Sequence, residues 1–175
     1  AGLILRGRIF RGSSGIAGEI GHNALDPQGP LSESGLRGSL HSLIGTPALL
    51  ARAQEGEGSK PRTIEELVTL ALHNDEKAQG VLRFAGEMLG IGVANILTLL
   101  NPQMVVLGGG IMRGEGLIVE EVRRIVAGLG LAEAIASVEI RASELNRWGI
   151  AKGAATLVLK SALQEPDLFV TPAEV

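Results

Sequence analysis

Apolar residues recur at steps of three and four through Ala78, Val81, Leu82, Ala85, Leu89, Val93, Ile96, Leu97 and Leu100, and this period predicts one long helix from Asp75 to Leu100. At the standard rise it is about 38 Å long. Its second half is apolar nearly all round, which places it in an interior. Gly86, Gly90 and Gly92 let a neighbour approach closely there, offsetting about 1 kcal/mol each in helix propensity. Met104 to Leu107 reads as a central strand, a continuous apolar run with β-branched Val105 and Val106, bounded by Pro102 and by Gly108-Gly109-Gly110. A helix over 115–128, a strand near Val138–Ile140 and a helix over 150–163 follow, in the order of an α/β sheet with crossover helices.

The first third of the chain is patterned differently. Leu3-Ile4-Leu5 and Ile9-Phe10 flank Arg6-Gly7-Arg8, which predicts a short hairpin with Gly7 in its turn. Glycines at 12, 15, 18 and 21 then rule out a stable helix, so this segment is expected to be a loop running into a short strand at Ile20–Leu25. Asp26-Pro27 and Gly29-Pro30 mark a turn-rich loop, and Leu40, Leu43, Ile44, Leu49 and Leu50 look helical, interrupted by Gly45 and Pro47. A solvated loop spans 54–62, after which Thr63 and Glu66 have the spacing of a capping box ahead of Ile64, Leu67, Val68 and Ala71.

Composition narrows the function classes. With 45% hydrophobic and 20% charged residues over 175 positions, the chain has enough apolar material for one compact unit, or a single lobe of something larger. A net charge of −3, with three Phe, one Trp and no Tyr, supplies neither a positive field for phosphates nor platforms for bases, so this chain alone is not expected to bind nucleic acid. The absence of cysteine excludes disulfides and thiolate metal sites and fits a reducing cytoplasm. Ala1, with no initiator Met and no leader, reads as a cut end. The uncharged stretch Met88–Met112 is rejected as a membrane span, because Asn101-Pro102 breaks it and three glycines follow its β-rich part. Residues 164–175, with Pro166 and Pro172, read as a tail.

Two groups of residues carry candidate chemistry. Glu19 and His22 lie three apart among small residues, and a carboxylate with an imidazole is the equipment needed to read the hydroxyls of a sugar edge. Taken alone, the pair fits an exposed acid and a surface histidine better. Gly108-Gly109-Gly110 serve equally as a backbone turn or as a place where a ligand comes close. Trp148 is read as a packing anchor between the last strand and the last helix rather than a sugar-stacking platform, and His73 as a helix end. Arg6, Arg8 and Arg11 are read as a solvated hairpin face, an anion contact being the other reading.

The stretches RGSSGIAGEIGH at 11–22, DPQGP at 26–30, GLRGSL at 35–40 and LNPQMVVLGGGI at 100–111 resemble, in this order and over most of the chain, the motifs of the ROK family of bacterial repressors, sugar kinases and related open reading frames. The resemblance implies an α/β, ribonuclease-H-like (actin-like ATPase) lobe with a mixed sheet flanked by helices, spanning residues 1–163. It also implies that Glu19 and His22 hold sugar hydroxyls, and that Gly108, Gly109 and Gly110 border the adenine of ATP in those members that use it. The family's histidine ligates a structural zinc together with three cysteines, whose positions here are Ser32, Ser34 and Ser39. Serine hydroxyls stay protonated and are poor zinc ligands, so the site His22, Ser32, Ser34, Ser39 is degenerate and no zinc is expected. The loop 26–38 must then be held by turns and serine hydrogen bonds, or be mobile. His41 stands where kinase members usually carry a glutamate that contacts the sugar.

The phosphate loop and the catalytic base of the family's kinases are missing, so no residue of this chain is expected to be catalytic. Three readings follow from the resemblance. One is the sugar-sensing and dimerisation lobe of a cytoplasmic transcriptional repressor, binding a sugar or sugar phosphate through Glu19, His22 and His41, without cofactor or membrane. It would form a homodimer or larger homo-oligomer and reach DNA only through a domain outside the chain. The alternatives are the C-terminal lobe of a glucokinase-like sugar kinase, needing ATP and Mg, and a degenerate lobe that only mediates association.

Overall fold

A computed structural model describes residues 1–32, 34–145 and 148–164, the side chain of Glu115 excepted. The chain divides into two units, Ala1–Ala142 and Ser143–Val175. In the first, β1 (Leu3–Leu5) and β2 (Arg8–Phe10) pair antiparallel, with Ile4 opposite Ile9. Arg6 and Gly7 both have positive φ, 52° and 74°, the backbone of a tight two-residue hairpin turn. The arginines at 6, 8 and 11 are exposed, as expected of a solvated face.

The expected strand at Ile20–Leu25 is instead a 3₁₀ turn, Ile20–His22, and only Ala24 makes a β-bridge, to Ser39. The turn forms because Gly18, at φ 93°, reverses the chain and its carbonyl accepts the Ile20 N–H at 2.7 Å. Gly45 and Pro47 split the following helical stretch into α1 (Leu40–Ile44) and α2 (Thr46–Gln54). The forward half of the capping box forms, Thr63 Oγ1 accepting the Glu66 N–H at 3.1 Å, while Glu66 reaches back one residue past the cap, to the Arg62 N–H at 2.7 Å, opening α3 (Ile64–Leu72). His73 ends that helix.

The long helix α4 (Glu76–Leu100) is capped by Asp75, whose Oδ1 accepts the Ala78 N–H at 2.8 Å. Although α4 is long and apolar enough to cross a membrane, half of its most apolar stretch is buried, against α1, α2, α3 and α5 (Glu115–Leu129). Gly86 and Gly90 allow the α5 contact: a Cβ on Gly90 would lie 2.7 Å from that of Ile125. Leu67, Leu82, Leu97, Ile118 and Val122, all at most 1% exposed, form the centre of the core. Beneath these helices β3 (Met104–Leu107) pairs parallel with β4 (Glu139–Ala142). Among the described residues β3 has β4 as its one neighbour, so the mixed sheet is divided between an antiparallel hairpin and a parallel pair, and β3 is not central there. A short helix that the pattern did not predict, α6 (Ala132–Ser137), precedes β4 and buries Ala134.

The second unit contains α7 (Gly149–Gln164). Trp148, read as a packing anchor, heads this helix with 55% of its surface exposed, and its carbonyl accepts the Lys152 N–H. Residues 165–175 of the expected tail lie outside the described residues.

Candidate functional site

The 3₁₀ turn at Ile20–His22 sets the geometry of the candidate site. In a strand, residues 19 and 22 would point to opposite faces, since side chains alternate. A 3₁₀ turn has three residues per turn, and here Glu19 caps it while His22 ends it, so one compact turn carries both residues at its two ends. The turn is closed by the His22 N–H donating to the Glu19 carbonyl at 3.1 Å. Both side chains are exposed.

His41 is brought to the same place by α1. Leu40, 4% exposed, packs its Cδ2 at 3.4 Å from where a Cβ on Gly92 of α4 would stand, which turns the next residue outward. The His41 Cβ then lies 3.7 Å from the Cβ position of Gly21, so a larger residue at 21 would press on it. The His41 ring folds towards Gly45, with Nδ1 3.5 Å from a Cβ placed there. Among the described residues, the side chains of Glu19, His22 and His41 have no hydrogen-bond or ion-pair partner, which leaves the carboxylate and the ring nitrogens available to a ligand.

The three serines at the degenerate zinc positions are occupied with the chain itself. Ser39 Oγ accepts the Ser42 N–H at 3.1 Å and caps α1. Ser32 Oγ lies 2.9 Å from Ser34 Oγ and accepts the Leu36 N–H at 3.0 Å. The neck of the loop is closed by the Leu25 and Asp26 N–H groups, both donating to the Gly38 carbonyl, at 2.8 and 3.1 Å. Gly38, at φ 58°, is required there: a Cβ would stand 1.5 Å from the Asp26 carbonyl oxygen. Among the described residues of loop 26–38, turns and serine hydrogen bonds of the kind expected are present. Hydroxyls so engaged do not fit a tetrahedral zinc site. Among the described residues no three His, Asp or Glu side chains converge as metal ligands.

Gly108, Gly109 and Gly110 are exposed at the end of β3, away from these residues in sequence, and a Cβ on Gly109 would meet nothing within 4 Å. Beside them runs an open groove of about 510 Å³ along α3, lined by Ser59, Lys60, Pro61, Glu65, Glu66, Thr69 and Leu70. Glu65 Oε1 comes within 3.9 Å of the Cβ position of Gly110. None of Glu19, His22 and His41 lines this groove. Lys60 and Glu65 escaped the sequence reading, because a lysine in a polar loop and an acid in a helix's first turn carry no local signal of a groove.

The fold is that of a ribonuclease-H-like, actin-like ATPase lobe. The chain belongs to the ROK family, whose model matches residues 1–161. It is 31% identical over 162 residues to the xylose repressor of Bacillus spizizenii, a match covering 93% of this chain and 42% of that protein. With the N-acetylmannosamine kinase of Vibrio vulnificus it shares 32% identity over 142 residues, 81% of this chain and 46% of that protein. The solved ROK family transcriptional regulator that is a homologue of the E. coli MLC protein superposes with a TM-score of 0.77 at 27% identity, over 83% of this chain and 39% of that one. The chain thus spans less than half the length of the two sequence relatives.

Proposed function

We propose that this chain is the effector-sensing lobe of a ROK-family transcriptional repressor, binding a sugar or sugar phosphate through Glu19 and His22 with His41 beside them, without a zinc ion or other cofactor. The observation that supports the reading is the 3₁₀ turn, which carries an exposed acid at its start and an exposed imidazole at its end, with α1 presenting a second imidazole next to Gly21. A carboxylate accepts from two adjacent hydroxyls, and a neutral imidazole donates and accepts, so the set is matched to a polyol edge. In the intact repressor the lobe also contributes to a cytoplasmic homodimer or larger homo-oligomer, and a DNA-reading domain outside this chain makes the operator contacts.

Isothermal titration of the intact protein with D-xylose and with N-acetylmannosamine tests this. Glu19→Ala is expected to abolish the binding heat while leaving the melting midpoint within about 2 °C, as for a surface change. Unchanged affinity in Glu19→Ala removes the assigned role. Failure of the wild type to bind any of a panel of pentoses, hexoses and N-acetylhexosamines favours a lobe that serves association alone.

The kinase reading is favoured by one separate observation, the open groove lined by Lys60 and Glu65, the latter lying within 3.9 Å of the Gly110 Cβ position in the glycine turn. ATP and Mg would be needed only in that case. Release of ADP on mixing the intact protein with ATP, Mg and N-acetylmannosamine distinguishes it from the repressor.

A further inference from the structure

We propose that Ser39 is the positioning residue that holds the Glu19–His22 turn and His41 in register, an inference that rests on the sugar-binding reading of those three side chains. Ser39 is fully buried, at 0% exposure, where the polar residues of the site are exposed. Its contacts run in two directions. Its backbone bridges to Ala24, two residues after His22, and the adjoining Leu40 N–H donates to the Asn23 carbonyl at 2.9 Å. Its side chain accepts the Ser42 N–H at 3.1 Å, and its carbonyl accepts the Ser42 hydroxyl at 2.9 Å, one residue after His41. One residue therefore ties the turn that carries the acid and the first imidazole to the helix that carries the second.

The tie matters because α1 is only Leu40–Ile44. A five-residue helix has no stability of its own, so its first turn exists only while a cap and tertiary contacts hold it. Without the Ser39 hydroxyl the half-buried first-turn N–H of Ser42 is left unpaired, the helix start frays, and His41 loses its fixed place against Gly21. The clasp at Ser32 and Ser34 lies on the exposed rim of the loop and does not reach either side chain, which separates its role from that of Ser39.

Three variants in the intact protein test this. Threonine and valine have the same shape, but only threonine accepts the Ser42 N–H, so Ser39→Thr against Ser39→Val isolates the hydrogen bond from any crowding, with Ser39→Ala as the small counterpart. The first readout needs no sugar: the ring carbon and proton signals of His22 and His41 in protein labelled with ¹³C-histidine. Both signals are expected to shift or broaden in Ser39→Val and Ser39→Ala and to stay in place in Ser39→Thr. The D-xylose dissociation constant is expected to rise about fivefold in the first two, the size of a lost helix cap, and to be restored in Ser39→Thr. If the buried-site variants fail to fold, Ser42→Ala is expected to move the His41 signal alone. Matching histidine signals in Ser39→Thr and Ser39→Val, or an unmoved His41 signal in Ser42→Ala, overturns the proposal. A wild type that binds no sugar while the histidine signals respond as expected counts against the sugar reading and not against the tie.

Discussion

Alanine at Gly90 tests whether the helix pair beneath the site is as tightly fitted as its glycines imply. Replacing a helical glycine by alanine gains about 1 kcal/mol in propensity wherever there is room. At Gly80, near the start of the same helix, a Cβ would meet nothing within 4 Å, so Gly80→Ala is expected to stabilise by roughly that amount. At Gly90 the added carbon would stand 2.7 Å from the Ile125 Cβ and 3.0 Å from its Cγ2. The obstruction is the branch point of a β-branched side chain, which is stiff in a helix and cannot rotate away. Helix α5 itself must move by several tenths of an ångström, and overpacking of this kind costs about 1–3 kcal/mol. The net effect of Gly90→Ala is then a loss of up to about 2 kcal/mol, and the two substitutions should differ by about 1–3 kcal/mol despite identical chemistry. Urea unfolding of the intact protein, followed by far-ultraviolet circular dichroism and compared at a common slope, measures the difference. A Gly90→Ala protein as stable as Gly80→Ala would refute the close α4–α5 fit.

The cap of α4 makes a pH prediction. The Ala78 N–H hydrogen bond holds the Asp75 carboxyl below its ordinary value. A lowered folded value means that the contribution is complete above the unfolded carboxylate pKa of about 4 and is lost as the pH falls through the folded one. Asp75→Asn caps without ionising, so its melting midpoint between about pH 6 and 3 should fall less steeply than that of the wild type; equal slopes refute the assignment. Prolonged dialysis against EDTA is expected to change neither the melting midpoint nor the sugar affinity of the intact protein. A loss on dialysis that stoichiometric zinc restores would show that the serine loop is not self-sufficient.

Much of the helical half of the molecule was legible in the linear pattern because its signals are local. The period from Ala78 to Leu97 marks the buried stripe of α4, and Thr63 caps the Glu66 N–H within one turn. Each depends on residues a few positions apart, and the physics that decides it acts over the same distance. The motif AGEIGH likewise located the acid and imidazole, and the serines at 32, 34 and 39 excluded a thiolate metal site whatever the fold.

What the pattern misjudged was the conformation of that motif and everything that lies across the chain from it. Glycine permits a turn or an extended segment equally, so nothing at 18–22 distinguishes a strand from a 3₁₀ turn until Ser39 and Leu40 pair with the backbone at 23 and 24 and leave 20–22 to close on itself. Helix α6 was hidden for a related reason: six residues are too few for a period to show, and it is held by contacts with α4 and α5. The approach of Glu65 to Gly110, the bridge between Ser39 and Ala24 and the closeness of His41 to Gly21 all join residues well over ten positions apart, and only packing brings them together. The linear chain thus settled which chemical groups are present and which helices carry them, because propensity and periodicity are short-range. The tertiary structure alone decided which of those groups face one another, because that depends on where each element is pinned by residues distant in sequence.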